Sequence, residues 1–285
     1  MTTTTPVPGL SGPTAAAAGM VATLLAGHAP LGVAYSGGVD SATLLALAVR
    51  ELGADQVVAV LGVSPSLATD ERAAAHATAE VIGARVVEIE THEGSSAAYR
   101  ANGPDRCFHC KDELFTRISD ELVAELGLSA VAYGENADDA KRPDRPGSRA
   151  ATNHRVLRPL AEAGMTKPMV RETARALALP VADKPAAPCL ASRIPHFEEV
   201  TPEKLRQVDQ AEAGLRKLGF TDSRVRHHGD VARIELRPEE LLNAVHRRED
   251  VDAVVRAAGF RFVALDLRGI QSGAFTLPLV TRSHD

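Results

Sequence analysis

The sequence lacks any stretch that is long and apolar enough to cross a bilayer. A transmembrane helix needs about 20 consecutive apolar residues, and the apolar runs here are much shorter. Residues 1–20 also lack a basic start followed by a long apolar segment, so we expect neither a membrane anchor nor a secretion signal. Residues 1–13 are rich in threonine, proline and glycine and are predicted to form a disordered tail.

Positive charge and aromatic side chains are also scarce. The 285-residue chain has a formal net charge of −5, and aromatic residues make up 4% of it. Proteins that bind nucleic acids usually carry an excess of positive charge, and many stack bases on aromatic rings. We therefore expect no nucleic-acid partner.

Cysteine is rare, and its number is odd. Three cysteines cannot all pair within one chain, and disulfide frameworks occur mainly in exported proteins. This composition favours a reducing, cytoplasmic location with reactive or metal-bound thiols.

Short apolar runs alternate with helix-like segments through the first 160 residues. The runs LGVAYSG, QVVAVLGV, ARVVEIE and SAVAYGEN resemble buried parallel strands, and HRVLRPL suggests a fifth. Helices are predicted over 14–27, 40–52, 69–82 and 111–126. This order predicts an α/β fold with a doubly wound parallel sheet, in which ligands bind at the carboxyl ends of the strands.

The sequence changes character near residue 200. A predicted helix over 202–218 leads to SRVRHHGDVARIEL, where two alternating runs flank a turn, as in a β-hairpin. The strand FRFVALDL follows after a further helical stretch. We therefore expect an α/β domain over 14–198 and a small α+β domain over 199–285 for substrate binding or oligomerisation. Within the first domain, the polar segment 137–153 is predicted to be a surface loop.

The segment SGGVDS follows the first predicted strand and opens a helix. It supplies Ser36, Gly37, Gly38, Asp40 and Ser41. Glycines let backbone N–H groups surround an anion, the helix N-terminus adds positive potential, and serine hydroxyls donate to phosphate oxygens. Asp40 is suited to hold Mg²⁺ on a leaving pyrophosphate. A helix cap alone needs only one such residue, so the full set predicts a polyphosphate site.

The cysteines lie in two separate motifs. Cys107 and Cys110 belong to DRCFHCKDELF, and Cys189 belongs to KPAAPCLASRIP. A structural zinc site needs four ligands, whereas three thiolates suit a [4Fe–4S] cluster with one open iron. The alternative is that all three thiols are merely buried, but nearby cations favour thiolates instead. These cations are Arg106, Lys111 and Arg193.

The SGGVDS motif resembles the pyrophosphate loop of the ATP pyrophosphatase (PP-loop) superfamily, which includes NAD, GMP and asparagine synthetases and tRNA sulfur-transfer enzymes. Nearly the whole chain further resembles one branch, the LarE-type pyridinium-3,5-biscarboxylic acid mononucleotide sulfurtransferases, which build the nickel-pincer cofactor of lactate racemase. The matching motifs are SGGVDS, RCFHCKDELF, YGENADD, RPLAEAGMTKPMVRETARALALPVADKPAAPCLASRIP, RVRHHGDVARIEL and FVALDLRGIQSGAF. Among these, the cysteine motifs and HHGDVARIE are the more specific.

This resemblance implies a reaction and its cofactors. ATP would adenylate a substrate carboxylate, pyrophosphate would leave, and sulfur would displace AMP to give a thiocarboxylate, first on one carboxylate and then on the other. The implied cofactors are ATP, Mg²⁺ and a [4Fe–4S] cluster, with a sulfide donor as partner and a homo-oligomeric assembly. The catalytic roles fall on Asp40, Lys111, Cys107, Cys110 and Cys189.

The sulfur source divides the family into two types. Members that have only the cysteine matching Cys189 sacrifice its sulfur, whereas members with three cysteines are thought to deliver sulfide from the open iron of a cluster. All three cysteines are present here, so we favour the cluster.

The carboxyl end of the fourth predicted strand carries further candidates. Glu135, Asn136 and Asp138 follow this strand, and the resemblance suggests that they contact the nucleotide or the activated substrate. Simple loop polarity is the alternative, which we prefer for Asp139.

The second domain carries candidates for anion binding. Arg224 and Arg226 alternate along a predicted strand, with Glu235 opposite. A mononucleotide with one phosphate and two carboxylates would bind such arginines, although a solvated, salt-bridged face is equally consistent. Arg193 is a further cofactor-binding candidate, and Glu212 is predicted to be a helix-surface residue.

Three other functions share some of these features. A tRNA thiolase would use the same loop and cysteines, an ammonia-using synthetase would use the loop alone, and a nucleotide sensor would bind without catalysis. The negative charge and the scarcity of aromatic residues disfavour the thiolase. The intact Ser-Gly-Gly-Asp-Ser set disfavours the sensor.

Overall fold

The computed structural model describes residues 6–141 and 146–271, which form two compact units. The larger unit is assigned Met1–Ser64, Glu71–Glu93 and Cys107–Ala187, and the smaller unit Pro65–Asp70, Gly94–Arg106 and Pro188–Asp285. Cys107 is therefore the first residue after one chain crossing between the units, and Cys189 is the second residue after another.

The helices and strands follow in chain order. The helices are α1 (Gly12–Leu25), α2 (Val39–Leu52), α3 (Thr69–Ile82), α4 (Ala97–Arg100), α5 (Arg106–Arg117), α6 (Val123–Glu125), α7 (Ala137–Ala140), α8 (Pro146–Asn153), α9 (Pro159–Glu162), α10 (Lys167–Ala176), α11 (Pro202–Lys217), α12 (Leu241–His246) and α13 (Arg248–Ala257). The strands are β1 (Leu31–Ala34), β2 (Val57–Val63), β3 (Arg85–Glu90), β4 (Ala130–Tyr133), β5 (Ser223–His228), β6 (Val231–Leu236) and β7 (Phe262–Leu265).

The larger unit is built on a parallel sheet of order β3-β2-β1-β4. Leu31 of β1 pairs with Val57 of β2 on one side and with Ala130 of β4 on the other, and all three interfaces are parallel. This confirms the predicted α/β class and places the ends of four strands at one edge of the sheet.

The prediction of a fifth strand in HRVLRPL is wrong. Leu157 forms only an isolated bridge to Ala132 of β4. Pro159 begins α9 two residues later, so the extended segment is too short to continue the ladder.

The predicted loop over 137–153 is also wrong. Asn136 caps α7 by accepting hydrogen bonds from the backbone N–H groups of the next turn, and α8 begins at Pro146. Ala150 and Ala151 of α8 are fully buried in a core cluster that also contains Phe115 of α5. Small apolar residues in a polar segment therefore allow a helix to pack closely. Residues 142–145 lie outside the described residues.

Two helix boundaries differ from the prediction. The helix expected over 111–126 begins at Arg106, so Cys107 and Cys110 lie within its first turns rather than before it. A π-helical segment, Ile118–Leu122, then joins α5 to α6. At the N-terminus, Gly12 and Pro13 belong to α1 instead of the predicted tail, and residues 1–5 lie outside the described part of the chain.

The smaller unit contains the predicted hairpin. Strands β5 and β6 pair antiparallel from Ser223↔Leu236 to His228↔Val231, and β7 adds in parallel to β6. Gly229 occupies the turn with φ 60°, which glycine adopts without strain. Across both units, none of the described helices has the length and hydropathy needed to span a membrane.

Candidate active site

The SGGVDS segment forms a tight turn between β1 and α2. Gly37 has φ 70°, and a Cβ at this position would lie 2.7 Å from the Cβ of Ala75. Gly134, directly after β4, approaches the backbone of Ser41 so closely that a Cβ would lie 2.8 Å from its Cα. Glycine is therefore required both inside the turn and beside it.

The two serines of this turn lie side by side. The backbone N–H of Ser36 donates to Ser41 Oγ at 3.2 Å, and the two hydroxyl oxygens are also 3.2 Å apart. Ser41 Oγ donates to the carbonyl of Gly38 at 3.1 Å. These hydroxyls lie at the N-terminus of α2, where helix polarity and backbone N–H groups favour an anion.

Asp40 is already engaged by two donors. Lys167 Nζ lies 2.5 Å from its Oδ2, and Asn136 Nδ2 donates to its Oδ1 at 3.2 Å. The side chains of Asp40 and Lys167 are 20% and 36% exposed, so a ligand from solvent can reach both. The structure therefore brings together one predicted residue on α2, a second after β4, and a lysine that sequence reasoning missed.

Asn136 and Asp138 position this pair of charges. Asn136 is buried, and its Oδ1 accepts hydrogen bonds from the N–H groups of Asp138 and Asp139 at 3.0 Å each. Its amide also donates to Asp139 Oδ2 at 3.0 Å, so Asp139 has a defined partner. Asp138 accepts from the backbone N–H of Lys167 at 2.8 Å, which fixes the start of α10 next to Asp40.

Glu135 is a buried carboxylate next to this cluster. Its Oε1 accepts a hydrogen bond from Ser148, while Arg158 Nη1 lies 3.7 Å from its Oε2. Among the described residues, Oε2 has no hydrogen-bond partner. The carboxylate of Glu135 is thus buried, with one oxygen hydrogen-bonded to Ser148 and the other balanced only by the charge of Arg158.

The donor set fits magnesium that is bound together with a nucleotide. Mg²⁺ commonly takes one or two carboxylates and completes its coordination with phosphate oxygens and water. Asp40 supplies one such carboxylate. In the described part of the chain, no group of three or more His, Cys, Asp or Glu side chains is arranged to hold a metal by itself.

The three cysteines lie on two elements. Cys107 is exposed and Cys110 is partly exposed on α5, while Cys189 is exposed at the start of a 3₁₀ turn, Leu190–Arg193. None of them forms a disulfide. Lys111, one residue beyond Cys110, contacts the hydroxyl of Tyr133 and lies 3.9 Å from the centre of its ring. Accessible thiols are the donor chemistry that an iron–sulfur cluster requires.

Two buried arginines hold the segment that carries Cys189. Arg106, the residue before Cys107, donates to the carbonyl of Ala191 at 2.9 Å. Arg193 donates to the carbonyls of Pro188 at 2.6 Å and Cys189 at 3.4 Å. Within the smaller unit, the residue next to Cys107 is thus tied to the turn that follows Cys189.

Buried ion pairs dominate the rest of the smaller unit. Arg193 pairs with Glu212 at 3.0 and 3.2 Å, and Arg226 pairs with Glu235 at 2.9 and 2.7 Å. All four side chains are almost fully buried. The solvated-face alternative for Arg226 is therefore wrong, and so is the surface position predicted for Glu212. The carboxylate of Glu212 also accepts the N–H of Val225 in β5 at 2.9 Å.

Arg224 adds another buried cation beside those of the two ion pairs. It lies directly across the hairpin from Glu235 in the strand register. Burial lowers the pKa of Arg224, and the charges of Arg193 and Arg226 lower it further. Such a cluster of guanidinium groups stabilises an additional anion, because phosphate and carboxylate groups accept paired hydrogen bonds from arginine.

Comparison with known proteins shows the family of the chain. A family model described as asparagine synthase matches residues 17–120. Pyridinium-3,5-bisthiocarboxylic acid mononucleotide synthase of Lactiplantibacillus plantarum is 35% identical over 241 residues, which cover 85% of this chain and 87% of that protein. The chain belongs to the family of this synthase. The family is the LarE-type branch of the PP-loop superfamily, whose members are ATP-dependent sulfurtransferases.

Two uncharacterized relatives extend the family. A protein of Synechocystis sp. is 43% identical over 246 residues, covering 85% of this chain and 90% of that protein. A protein of Methanocaldococcus jannaschii is 26% identical over 235 residues, covering 82% of this chain and 88% of that protein. Each match extends along most of both chains, so the resemblance includes the smaller unit as well as the PP-loop.

Sequence reasoning missed three residues of this candidate site. Lys167, Ser148 and Arg158 contact the predicted carboxylates Asp40 and Glu135. A signal existed for Lys167, since it follows Thr166 and precedes Pro168, a pattern typical of the first turn of a helix. No local pattern marks Ser148 or Arg158, because their roles depend on packing against β4.

Proposed function

We propose that this chain converts pyridinium-3,5-biscarboxylic acid mononucleotide to its bisthiocarboxylic form by ATP-dependent sulfur transfer. The observation that carries the proposal is the Asp40 cluster at the end of the sheet: paired serines, an accessible carboxylate and an accessible lysine. The printed name of the L. plantarum relative supports this substrate. We further propose a cytoplasmic homo-oligomer in which the α/β domain binds ATP and the C-terminal domain binds the mononucleotide.

The first chemical step would be adenylation. A carboxylate oxygen of the substrate attacks the α-phosphorus of ATP, and the bond to the bridging oxygen breaks as pyrophosphate leaves. Ser36, Ser41 and the N-terminus of α2 would bind the phosphates. Lys167 would move from Asp40 to the pyrophosphate oxygens, because its partly exposed ion pair with Asp40 is weak in water. Mg²⁺, held by Asp40, would neutralise the charge that develops on the leaving group.

Substrate binding would use the buried cations of the smaller unit. Arg224 and Arg226 would receive the phosphate or the second carboxylate of the mononucleotide. Glu235 holds the guanidinium of Arg226 in a fixed plane, which fixes the position of its positive charge.

The sulfur would come from a site formed by Cys107, Cys110 and Cys189. A [4Fe–4S] cluster bound to three thiolates supplies an open iron that can carry sulfide. Arg106 supports this grouping, because it directly precedes Cys107 in the sequence and its guanidinium donates to the carbonyl of Ala191, two residues after Cys189. The alternative is sacrifice of the Cys189 sulfur, which would leave dehydroalanine.

The function is tested with the purified chain, ATP, Mg²⁺, sulfide and the biscarboxylic mononucleotide under anaerobic conditions. Mass spectrometry should detect the mono- and bisthiocarboxylic products together with AMP and pyrophosphate. Absence of these products, with thiolation of added tRNA instead, would support the tRNA thiolase.

A second assay identifies the sulfur source. A cluster predicts several turnovers per chain with added sulfide, and loss of iron and product in Cys107→Ser. Transfer of the Cys189 sulfur itself predicts at most one sulfur transferred per chain and a mass loss of about 34 Da (the mass of hydrogen sulfide) at Cys189. It also predicts full activity in Cys107→Ser.

A further inference from the structure

Cys107 and Cys110 occupy one side of the first two turns of α5. The helix begins at Arg106, so the two cysteines are its second and fifth residues. Residues three apart in an α-helix lie on the same side, and standard helix geometry separates their Cα atoms by about 5 Å. Disulfides join cysteines whose Cα atoms are about 4.4–6.8 Å apart. The pair therefore meets the distance requirement without a change of fold.

The packing of α5 leaves this pair accessible. The neighbouring side of the helix contacts α8 and the residue that follows it: Arg149 of α8 lies 4.1 Å from the ring centre of Phe108, and Asp112 lies 2.9 Å from His154 Nε2. Cys107 is exposed and Cys110 is partly exposed. A small disulfide in solution can therefore reach Cys107 while these contacts keep the helix in place.

The position of Cys107 at the start of the helix also allows the backbone movement that a disulfide with Cys110 would require. Cβ atoms three residues apart in a helix are separated by about 5–6 Å, whereas disulfide Cβ atoms are about 3.8 Å apart. The first four N–H groups of a helix have no acceptor within it, so the backbone at Cys107 can shift at lower cost than the helix interior. Phe108 and Asp112 anchor the turns that follow.

We propose that Cys107 and Cys110 are a reversible redox pair whose oxidised form is an intrahelical disulfide. With glutathione disulfide as oxidant, the Cys107 thiolate attacks one sulfur and displaces one glutathione thiolate. The Cys110 thiolate then attacks Cys107 Sγ, forms the protein disulfide and displaces the second glutathione. The protein loses two electrons and two protons, and one glutathione disulfide becomes two glutathione thiols.

The regulatory consequence rests on the proposed function. The disulfide would withdraw two of the three thiolates proposed for the sulfur site, while the Asp40 cluster on α2 would be untouched. Oxidation would thus stop sulfur transfer and leave adenylation intact, and thiol reductants would restore transfer.

The test equilibrates the metal-free full-length chain with glutathione buffers of increasing disulfide content. We expect the intact mass to fall by about 2 Da, the mass of two hydrogen atoms, and the accessible thiols to fall from three to one. Peptide mapping should locate the bond between Cys107 and Cys110, and Cys189→Ser should form it at the same glutathione ratio. Cys110→Ser should instead keep one glutathione attached to Cys107.

Stable glutathione adducts on Cys107 or Cys110 of the wild-type chain, or a bond from either cysteine to Cys189, would overturn the redox pair. These masses do not depend on the mononucleotide. The redox pair can therefore be refuted while sulfur transfer is observed, and sulfur transfer can be refuted while the redox pair is observed. Oxidised chain that still transfers sulfur at the reduced rate would refute the regulatory consequence alone.

Discussion

The ion pairs Lys167–Asp40 and Arg226–Glu235 join the same types of charge in opposite surroundings. Lys167 and Asp40 are 36% and 20% exposed, whereas Arg226 and Glu235 are 4% and 0% exposed. A pair in contact with water gains little from its attraction and separates easily. A buried pair is costly to break, because each charge left behind has no water around it.

This difference in burial distinguishes an ion pair that can exchange partners from an ion pair that stabilises the fold. A nucleotide phosphate can replace Asp40 as the partner of Lys167, and a metal ion can replace Lys167 as the partner of Asp40. Arg226 also donates to the carbonyls of Ser192 at 3.0 Å and Gln271 at 3.1 Å, so its guanidinium holds separate parts of the smaller unit together. The ion pair that can exchange partners therefore lies at the PP-loop, and the ion pair that stabilises the fold lies in the smaller unit.

The largest expected effect comes from breaking the buried pair. Arg226→Ala should lower the free energy of unfolding by about 3–5 kcal/mol, because Glu235 would be left buried without its main partner. Urea unfolding followed by circular dichroism measures this loss. The exposed pair Arg261–Asp230 provides the control, since Arg261→Ala should cost less than about 1 kcal/mol. Equal losses in the two variants would remove the distinction between buried and exposed pairs.

The exposed pair should affect chemistry rather than stability. Asp40→Asn should reduce pyrophosphate release at least about 100-fold, as expected when a group that stabilises developing charge is lost, with unfolding changed by less than about 1 kcal/mol. The matched control is Glu71→Gln, which breaks the similarly exposed pair Lys184–Glu71 at 2.6 Å and should leave release unchanged. Near-normal release by Asp40→Asn would exclude the proposed role of Asp40.

How much of the site the sequence could predict depends on how far apart the contacting residues lie in the chain. Ser36, Asp40 and Ser41 lie within six residues, so one motif revealed the core of the site. The Lys167–Asp40 contact joins residues 127 positions apart, and no local pattern encodes it. The parallel sheet was predictable because its strands are short continuous apolar runs.

The errors in the smaller unit and in α5 have physical causes. Glu212 has the sequence context of a surface residue on a polar helix, and its burial depends on partners distant in sequence, Arg193 and the N–H of Val225. The start of α5 was placed too late, although Asp105 precedes Arg106 and aspartate commonly precedes a first helical turn. The buried Arg226–Glu235 pair likewise required the hairpin register.

A third prediction uses pH to distinguish the two regions. Burial, with a contribution from Lys204, lowers the pKa of His227 to about 4, and the ring packs 5.2 Å from that of Phe260. The unfolded chain binds this proton near pH 6.5, so the folded state should lose about 2–3 kcal/mol as the pH falls from about 6.5 to about 4. His227→Gln should flatten this part of the curve in urea unfolding, while Asp40→Asn should not.

The smallest expected effect concerns Arg224, a buried cation of the smaller unit that would bind an anionic group of the mononucleotide. Arg224 interacts with Arg193 and Arg226, which lower its pKa together with burial, so an arriving anion would relieve repulsion as well as accept hydrogen bonds. A hydrogen bond to a charged group contributes about 1.5–3 kcal/mol, and Arg224→Ala should therefore raise the KM for the mononucleotide about 10- to 100-fold. The KM for ATP is the internal control and should not change, because ATP would bind at the PP-loop. An unchanged KM for the mononucleotide, in a variant that folds normally, would mean that Arg224 only balances the charges of Asp222 and Glu235. The buried arginines would then stabilise the smaller unit without binding substrate.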